Sequence, residues 1–204
     1  MFQEIINKPY PLWNAIIFFI LSICTLAIAT SITINFLNAK NEKEAKAEKK
    51  SIVETCSMSL FFVCFYLIIK FHVGEFAITD MTIRLTMIIP GLIIIVVGTV
   101  VNIMGRLKLG KNWANQILIY KDQTLVTSGV FGIVRHPLYG SLIWIFFGAS
   151  LLFSNGLALL SNLFIFIPFM YYRARQEEKL LTEEFKSYSE YKKKVGMFFP
   201  KLLY

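Results

Sequence analysis

Long apolar runs separated by short charged segments organise this chain. Five runs stand out: Leu12–Leu37, Ile52–Ile69, Met81–Met104, Leu138–Phe153 and Leu157–Tyr172. They are too continuously apolar to alternate as half-buried strands. About 20 such residues cross a hydrocarbon core roughly 30 Å thick, and in lipid a helix satisfies its own backbone. The pattern therefore predicts an all-α polytopic membrane protein of about five transmembrane helices. The last two runs, separated by Ser154-Asn155-Gly156, have 16 residues each. At 1.5 Å per residue each covers about 24 Å, slightly short of the core. They read as a C-terminal helical hairpin that gains length from its flanks or thins the bilayer locally.

Between the runs the polar segments differ in kind. Asn38–Lys50 ("NAKNEKEAKAEKK") reads as a solvated helical linker, with Glu42 and Lys46 at helical pairing distance. The segment from Gly105 to His136 is too polar to span and too rich in aromatic and aliphatic residues for a plain connector. Turn signals at Gly110-Lys111-Asn112, Lys121-Asp122 and Ser128-Gly129 mark it as a structured cytoplasmic loop. In the tail, Leu181, Phe185, Tyr188 and Val195 keep near-helical spacing among charged residues. They predict an amphipathic helix of about five turns ending near Gly196. Such a helix either rests on lipid or covers a site built by the loop and the hairpin. No repeat is present, and residues 1–204 read as one integral membrane domain. Residues 1–104 carry three N-terminal spans, and 105–204 carry the loop, hairpin and tail.

Composition agrees with this picture. The chain is 56% hydrophobic with a mean hydropathy of +0.59. Of its 21 basic residues, 18 lie in Asn38–Ser51, Gly105–His136 and Arg173–Tyr204. The positive-inside rule places those segments in the cytoplasm and the N-terminus outside. The net charge of +8 follows helix ends, so it reflects topology, and nucleic-acid binding is not expected. Ala27-Ile28-Ala29 resembles a signal-peptide cleavage site. Glu4 and Lys8 cancel ahead of it and the apolar run continues past it, so the segment is expected to stay as a span. Cys24, Cys56 and Cys64 lie in apolar runs without metal-ligand spacing, and are expected to be buried structural thiols. No metal site is expected.

The chemistry concentrates in "VRHPLYG" and "RARQEE". Pro137 suits the first turn of a helix, which puts His136 at the N-cap beside Arg135. Free backbone N–H groups there favour an anion or polar cofactor. The alternative is that Arg135 anchors to lipid phosphate and His136 only caps the helix. Arg173 and Glu177 are four residues apart, and Arg175 and Glu178 three. If the fifth helix continues into the tail, the equal lengths of the hairpin arms bring these groups level with His136. Inward-turned ionisable groups at a membrane boundary are functional candidates; the alternative is a surface ion-pair ladder.

These residues resemble the isoprenylcysteine carboxyl methyltransferase family. The likeness runs from about Leu109 to Pro200 and rests on ordered pieces: "LGKNW", "LVTSG", "RHPLY", "RARQEE" and an aromatic tail. It implies an integral membrane enzyme using S-adenosylmethionine. It also implies that Gln116, Gln123, Thr124, Leu125, Val126 and Phe131 lie along the cofactor, with Phe131 where Tyr is commoner. His136, Pro137, Leu138 and Tyr139 match the cofactor-binding quartet, and Glu177 a cofactor-contacting carboxylate. Arg173 matches the arginine assigned to the methyl acceptor. Glu178 joins Arg173 as catalytic, or exchanges roles with Glu177. The tail departs from the family at "FKSYSEY", with Lys186 where Gly is common and one residue fewer before the first Tyr. The implied acceptor is a lipophilic small molecule or prenylated substrate bearing a carboxylate, met beside membrane lipid. Relatives of this pattern include phospholipid N-methyltransferases and membrane sterol reductases, so amine methylation and NADPH-dependent reduction remain alternatives. No G-x-G-x-x-G loop is present for the latter.

Overall fold

A computed structural model describes residues 11–38, 45–49, 52–113 and 117–201. All five apolar runs are helical: α1 (Pro11–Asn38), α2 (Ile52–Lys70), α3 (Met81–Leu109), α4 (Pro137–Leu152) and α5 (Gly156–Glu184). Three helices, at Leu12–Leu37, Met81–Asn112 and Gly156–Glu184, are long and apolar enough to cross a membrane. Cys56–Lys70 and Pro137–Leu152 are shorter apolar helices. Asn155 caps α5 by accepting from the Ala158 N–H at 2.8 Å, so α4 and α5 form the expected hairpin. Inside α5, residues Asn162–Phe166 form a π turn just before Pro168. Proline has no N–H for the regular ladder, and a widened turn absorbs the missing bond. Asn162 donates from there to the Ile143 carbonyl at 3.1 Å, pinning the turn to α4.

Helices α3 and α4 lie closest together, because Gly91, Gly98 and Gly105 recur every seventh residue on the face of α3 turned to α4. A Cβ on Gly91 would stand 2.7 Å from the Gly148 carbonyl oxygen, and one on Gly98 2.8 Å from Ile145 Cγ1. Small residues let apolar helices meet at backbone distance where the solvent is itself apolar. Gly98→Leu is accordingly expected to cost roughly 1–3 kcal/mol by overpacking. A lowered thermal midpoint in detergent is the readout. On the other side of α4, Phe146 joins Phe61 and Phe65 of α2 and Phe166 of α5. The Phe61 and Phe166 rings stack at 4.6 Å, and those of Phe65 and Phe146 are also 4.6 Å apart.

Three expectations change. The linker is not a helix over its described residues: Ala45–Lys49 (β1) pairs antiparallel with Ile117–Tyr120 (β2). A Glu–Lys pair is worth only about 0.2–0.5 kcal/mol, too little to hold an isolated short helix against an apolar strand offering a ladder. The fold is therefore helical with one two-stranded ribbon. The tail is not one helix either. α5 ends at Glu184, Phe185 is extended, and α6 (Tyr188–Lys194) follows after a turn. Finally, Cys24 is buried but Cys56 and Cys64 are exposed on α2. A helix that is apolar all round gives no sign of which face points outward.

Candidate active site at the mouth of the hairpin

His136 sits at the N-cap of α4 with Pro137 in the first turn, as the triplet predicts. Because α5 continues without a break past Tyr172 to Glu184, the turns after Tyr172 bring Arg173, Glu177 and Glu178 to the same level. His136 is 4% exposed, Arg173 5% and Glu178 2%. The imidazole stands between the two acids, with Nδ1 3.6 Å from Glu177 and Nε2 3.3 Å from Glu178. Its ring stacks on Tyr139 at 5.6 Å and 12°. The Tyr139 hydroxyl is in turn flanked by Arg173 and Glu177, and the Arg173 guanidinium lies 6.0 Å from the Tyr139 ring centre.

The adjacent acids do different work. Glu178 accepts from Arg135 Nε at 2.8 Å and pairs with Arg135 Nη2 at 2.7 Å and Lys192 Nζ at 2.8 Å. Arg135 also donates to the carbonyls of Val195 and Lys192. Its backbone N–H and that of His136 bond the Gly196 and Met197 carbonyls at 2.8 and 3.1 Å. Glu178 is thus a brace that ties the tail across the mouth of the hairpin, and Arg175, its sequence neighbour by helical spacing, is exposed. Glu177 is more open, with its side chain 38% exposed, and faces His136 and Tyr139. Tyr191 donates to the Phe131 carbonyl. That contact uses backbone, so the absence of a hydroxyl on Phe131 does not disturb it.

Burial alone would lower the His136 pKa. Hydrogen bonds and charge from Glu177 and Glu178 outweigh it, and the imidazole titrates above its ordinary value. A raised folded pKa adds stability that is complete below the unfolded value of about 6.5 and is lost as pH rises through the folded one. The stability difference between wild type and His136→Asn should therefore shrink from pH 6 to pH 9. Thermal unfolding in detergent across that range measures it; a difference that grows with pH contradicts it.

Among the other sequence-predicted residues, Pro137 and Phe131 are buried and Leu138 is half-buried in the same first turn. Leu138 offers its carbonyl to Asn102 and Ser141. Gln123, Thr124, Leu125 and Val126 lie on the loop after β2, where Thr124 accepts from Asn112 at 3.1 Å and closes the base of that loop. Gln116 lies outside the described residues. Sequence reasoning missed Lys192, which nothing near it in the chain singles out. It also passed over Asn102, whose place inside an apolar run was a signal: a polar side chain there needs a partner.

Comparison with known proteins extends these observations. Residues 91–183 match the isoprenylcysteine carboxyl methyltransferase family, from the glycine stripe of α3 through Glu178. A protein-S-isoprenylcysteine O-methyltransferase of Saccharomyces cerevisiae is 34% identical over 54% of this chain and 47% of its own length. One from Xenopus laevis is 35% identical over 52% and 38%. The cobalt-zinc-cadmium resistance protein CzcN of Cupriavidus metallidurans is 33% identical over 46% and 44%. The chain spans about half the length of the curated relatives it matches. The solved structure of the eukaryotic intramembrane Ras methyltransferase ICMT shares the fold, with a TM-score of 0.53 and 23% identity over 74% of this chain and 53% of that one. The chain is an integral membrane protein of that helical architecture. Over residues 91–183 it is similar to the isoprenylcysteine carboxyl methyltransferase family.

Proposed function

We propose that this chain transfers a methyl group from S-adenosylmethionine to the carboxylate of a lipophilic acceptor, of the isoprenylcysteine type, at the cytoplasmic membrane face. The observation that carries the reading is the convergence of Arg173, Tyr139, Glu177 and His136 at the mouth of the hairpin, under a braced tail. The donor set fits the cofactor. Glu177 is the acid not taken up by Arg135 and Lys192, and suits an ammonium or ribose hydroxyls. The first turn of α4 presents N–H groups that have no intrahelical partner. The cofactor, when bound, supplies an activated methyl on a sulfonium; the protein supplies position and charge.

A carboxylate acceptor is already ionised at neutral pH and needs no general base. It needs a cation that fixes its direction, and the buried Arg173 fork provides one. That cation favours an anionic acceptor over an amine. The tail excludes water from the mouth through the Glu178 brace. A groove of about 330 Å³ lined by Ile93, Val97, Val130, Pro137, Trp144 and Phe198 offers a path for an apolar chain from the bilayer. Phe198 also packs edge-on to His136 at 6.2 Å, linking groove and site. The bias of 18 of 21 basic residues supports a cytoplasmic mouth and tail with the N-terminus outside.

Detergent-solubilised protein should transfer radiolabelled methyl groups into a total lipid and small-molecule extract, giving a base-labile product, as an ester does. A base-stable product points instead to amine methylation, and no transfer to any acceptor sinks the proposal.

A further inference from the structure

The reaction proposed above brings two carboxylates to one site: that of the acceptor and that of the cofactor's amino-acid end. The cations at the His136 mouth are committed. Arg135 and Lys192 clamp Glu178, and His136 stands between Glu178 and Glu177. Arg173 lies against Tyr139. A further buried guanidinium stands on the other side of the first turn of α4, at Arg106 near the end of α3.

Arg106 is 9% exposed. Its Nε donates to Asn102 Oδ1 at 2.9 Å, and its guanidinium lies 5.7 Å from the Trp113 ring centre. Asn102 cannot turn, because its amide donates to Ser141 Oγ at 2.8 Å and to the Leu138 carbonyl at 3.4 Å. Ser141 donates to that same carbonyl at 2.9 Å. The guanidinium is thus held in register with the first turn of α4. Yet Arg106 Nη1 is buried with no hydrogen-bond partner among the described residues. A buried cationic donor left unpaired is costly, so a fixed one implies a partner that arrives. A lipid anchor would point outward, as the exposed Lys108 and Lys111 nearby do.

We infer that Arg106 is a carboxylate-binding residue of this site, gripping a ligand carboxylate through Nη1 while Asn102 fixes its direction. The inference rests on the methyl-transfer reading. The carboxylate comes from the cofactor or from the acceptor, and the experiment separates them.

Calorimetric titration of wild type, Arg106→Gln and Arg106→Lys with S-adenosylhomocysteine and with 5′-deoxy-5′-methylthioadenosine, which lacks the amino-acid carboxylate, is the test. Arg106→Gln should weaken S-adenosylhomocysteine about tenfold or more, as loss of a charged hydrogen bond does. It should leave the methylthio compound within about twofold, and Arg106→Lys should recover part of the loss. If S-adenosylhomocysteine is unaffected but the acceptor KM rises about tenfold, the acceptor supplies the carboxylate and the inference stands. Equal weakening of both nucleosides, or no change in any ligand, overturns it. Failure of wild type to bind S-adenosylhomocysteine at all overturns the methyl-transfer reading first, and this inference with it.

Discussion

Arg173→Ala is expected to lose methyl transfer by about 100-fold or more while S-adenosylhomocysteine affinity stays within about threefold. Arg173 is 5% exposed, one turn before Glu177, and its fork lies against Tyr139. In the proposed reaction it would orient an acceptor carboxylate for in-line attack, and misplacing a reacting group by about 1 Å costs on the order of 100-fold. Arg173→Lys keeps the charge but loses the two-pronged grip, so it should fall between the two. Transfer assays at saturating cofactor, paired with titration calorimetry, give both numbers. Near-normal transfer in the alanine variant contradicts the assignment. A parallel loss of cofactor binding moves Arg173 to the cofactor instead.

The second large effect is on stability. Glu178→Ala removes the acid shared by Arg135, His136 and Lys192 and leaves the Arg135 side chain, 8% exposed, without its counter-charge. Breaking a buried pair from one side costs about 3–5 kcal/mol. The Lys192 arm is 38% exposed and adds little to that figure. A fall in thermal midpoint and faster proteolysis between Lys186 and Lys201 are the expected results. Glu178→Gln keeps acceptor geometry at one oxygen and should sit between. Glu177→Gln should cost less stability than Glu178→Ala, because its side chain is 38% exposed, and should weaken cofactor binding. If Glu178→Ala is as stable as wild type and its tail as protected, Glu178 is not the brace.

The contrast between these two acids shows where sequence reading ends. That both lie level with His136 was legible, because two apolar arms of equal length must return the chain to the side it left. Which acid holds the tail was not legible, because the partners of Glu178 are 43 residues upstream at Arg135 and in a separate helix at Lys192. The break at Phe185 was hidden for a similar reason. No Gly or Pro marks it, and it exists so that Tyr188, 1% exposed, can pack inward. The ribbon of Ala45–Lys49 with Ile117–Tyr120 joins segments some 70 residues apart, and local helix pairing pointed the other way. The helices themselves were legible because lipid permits little else. Which faces of α2 turn outward, with Cys56 and Cys64, was not.

The central claim is that the mouth of the α4–α5 hairpin, closed by the tail, holds a sulfonium nucleoside against Arg173. Titration of detergent-solubilised wild type with S-adenosylhomocysteine tests it most directly. The account predicts one saturable site of about micromolar affinity, weakened about tenfold by Glu177→Gln. Absence of heat with S-adenosylhomocysteine, or a saturable site for NADPH in its place, would contradict it.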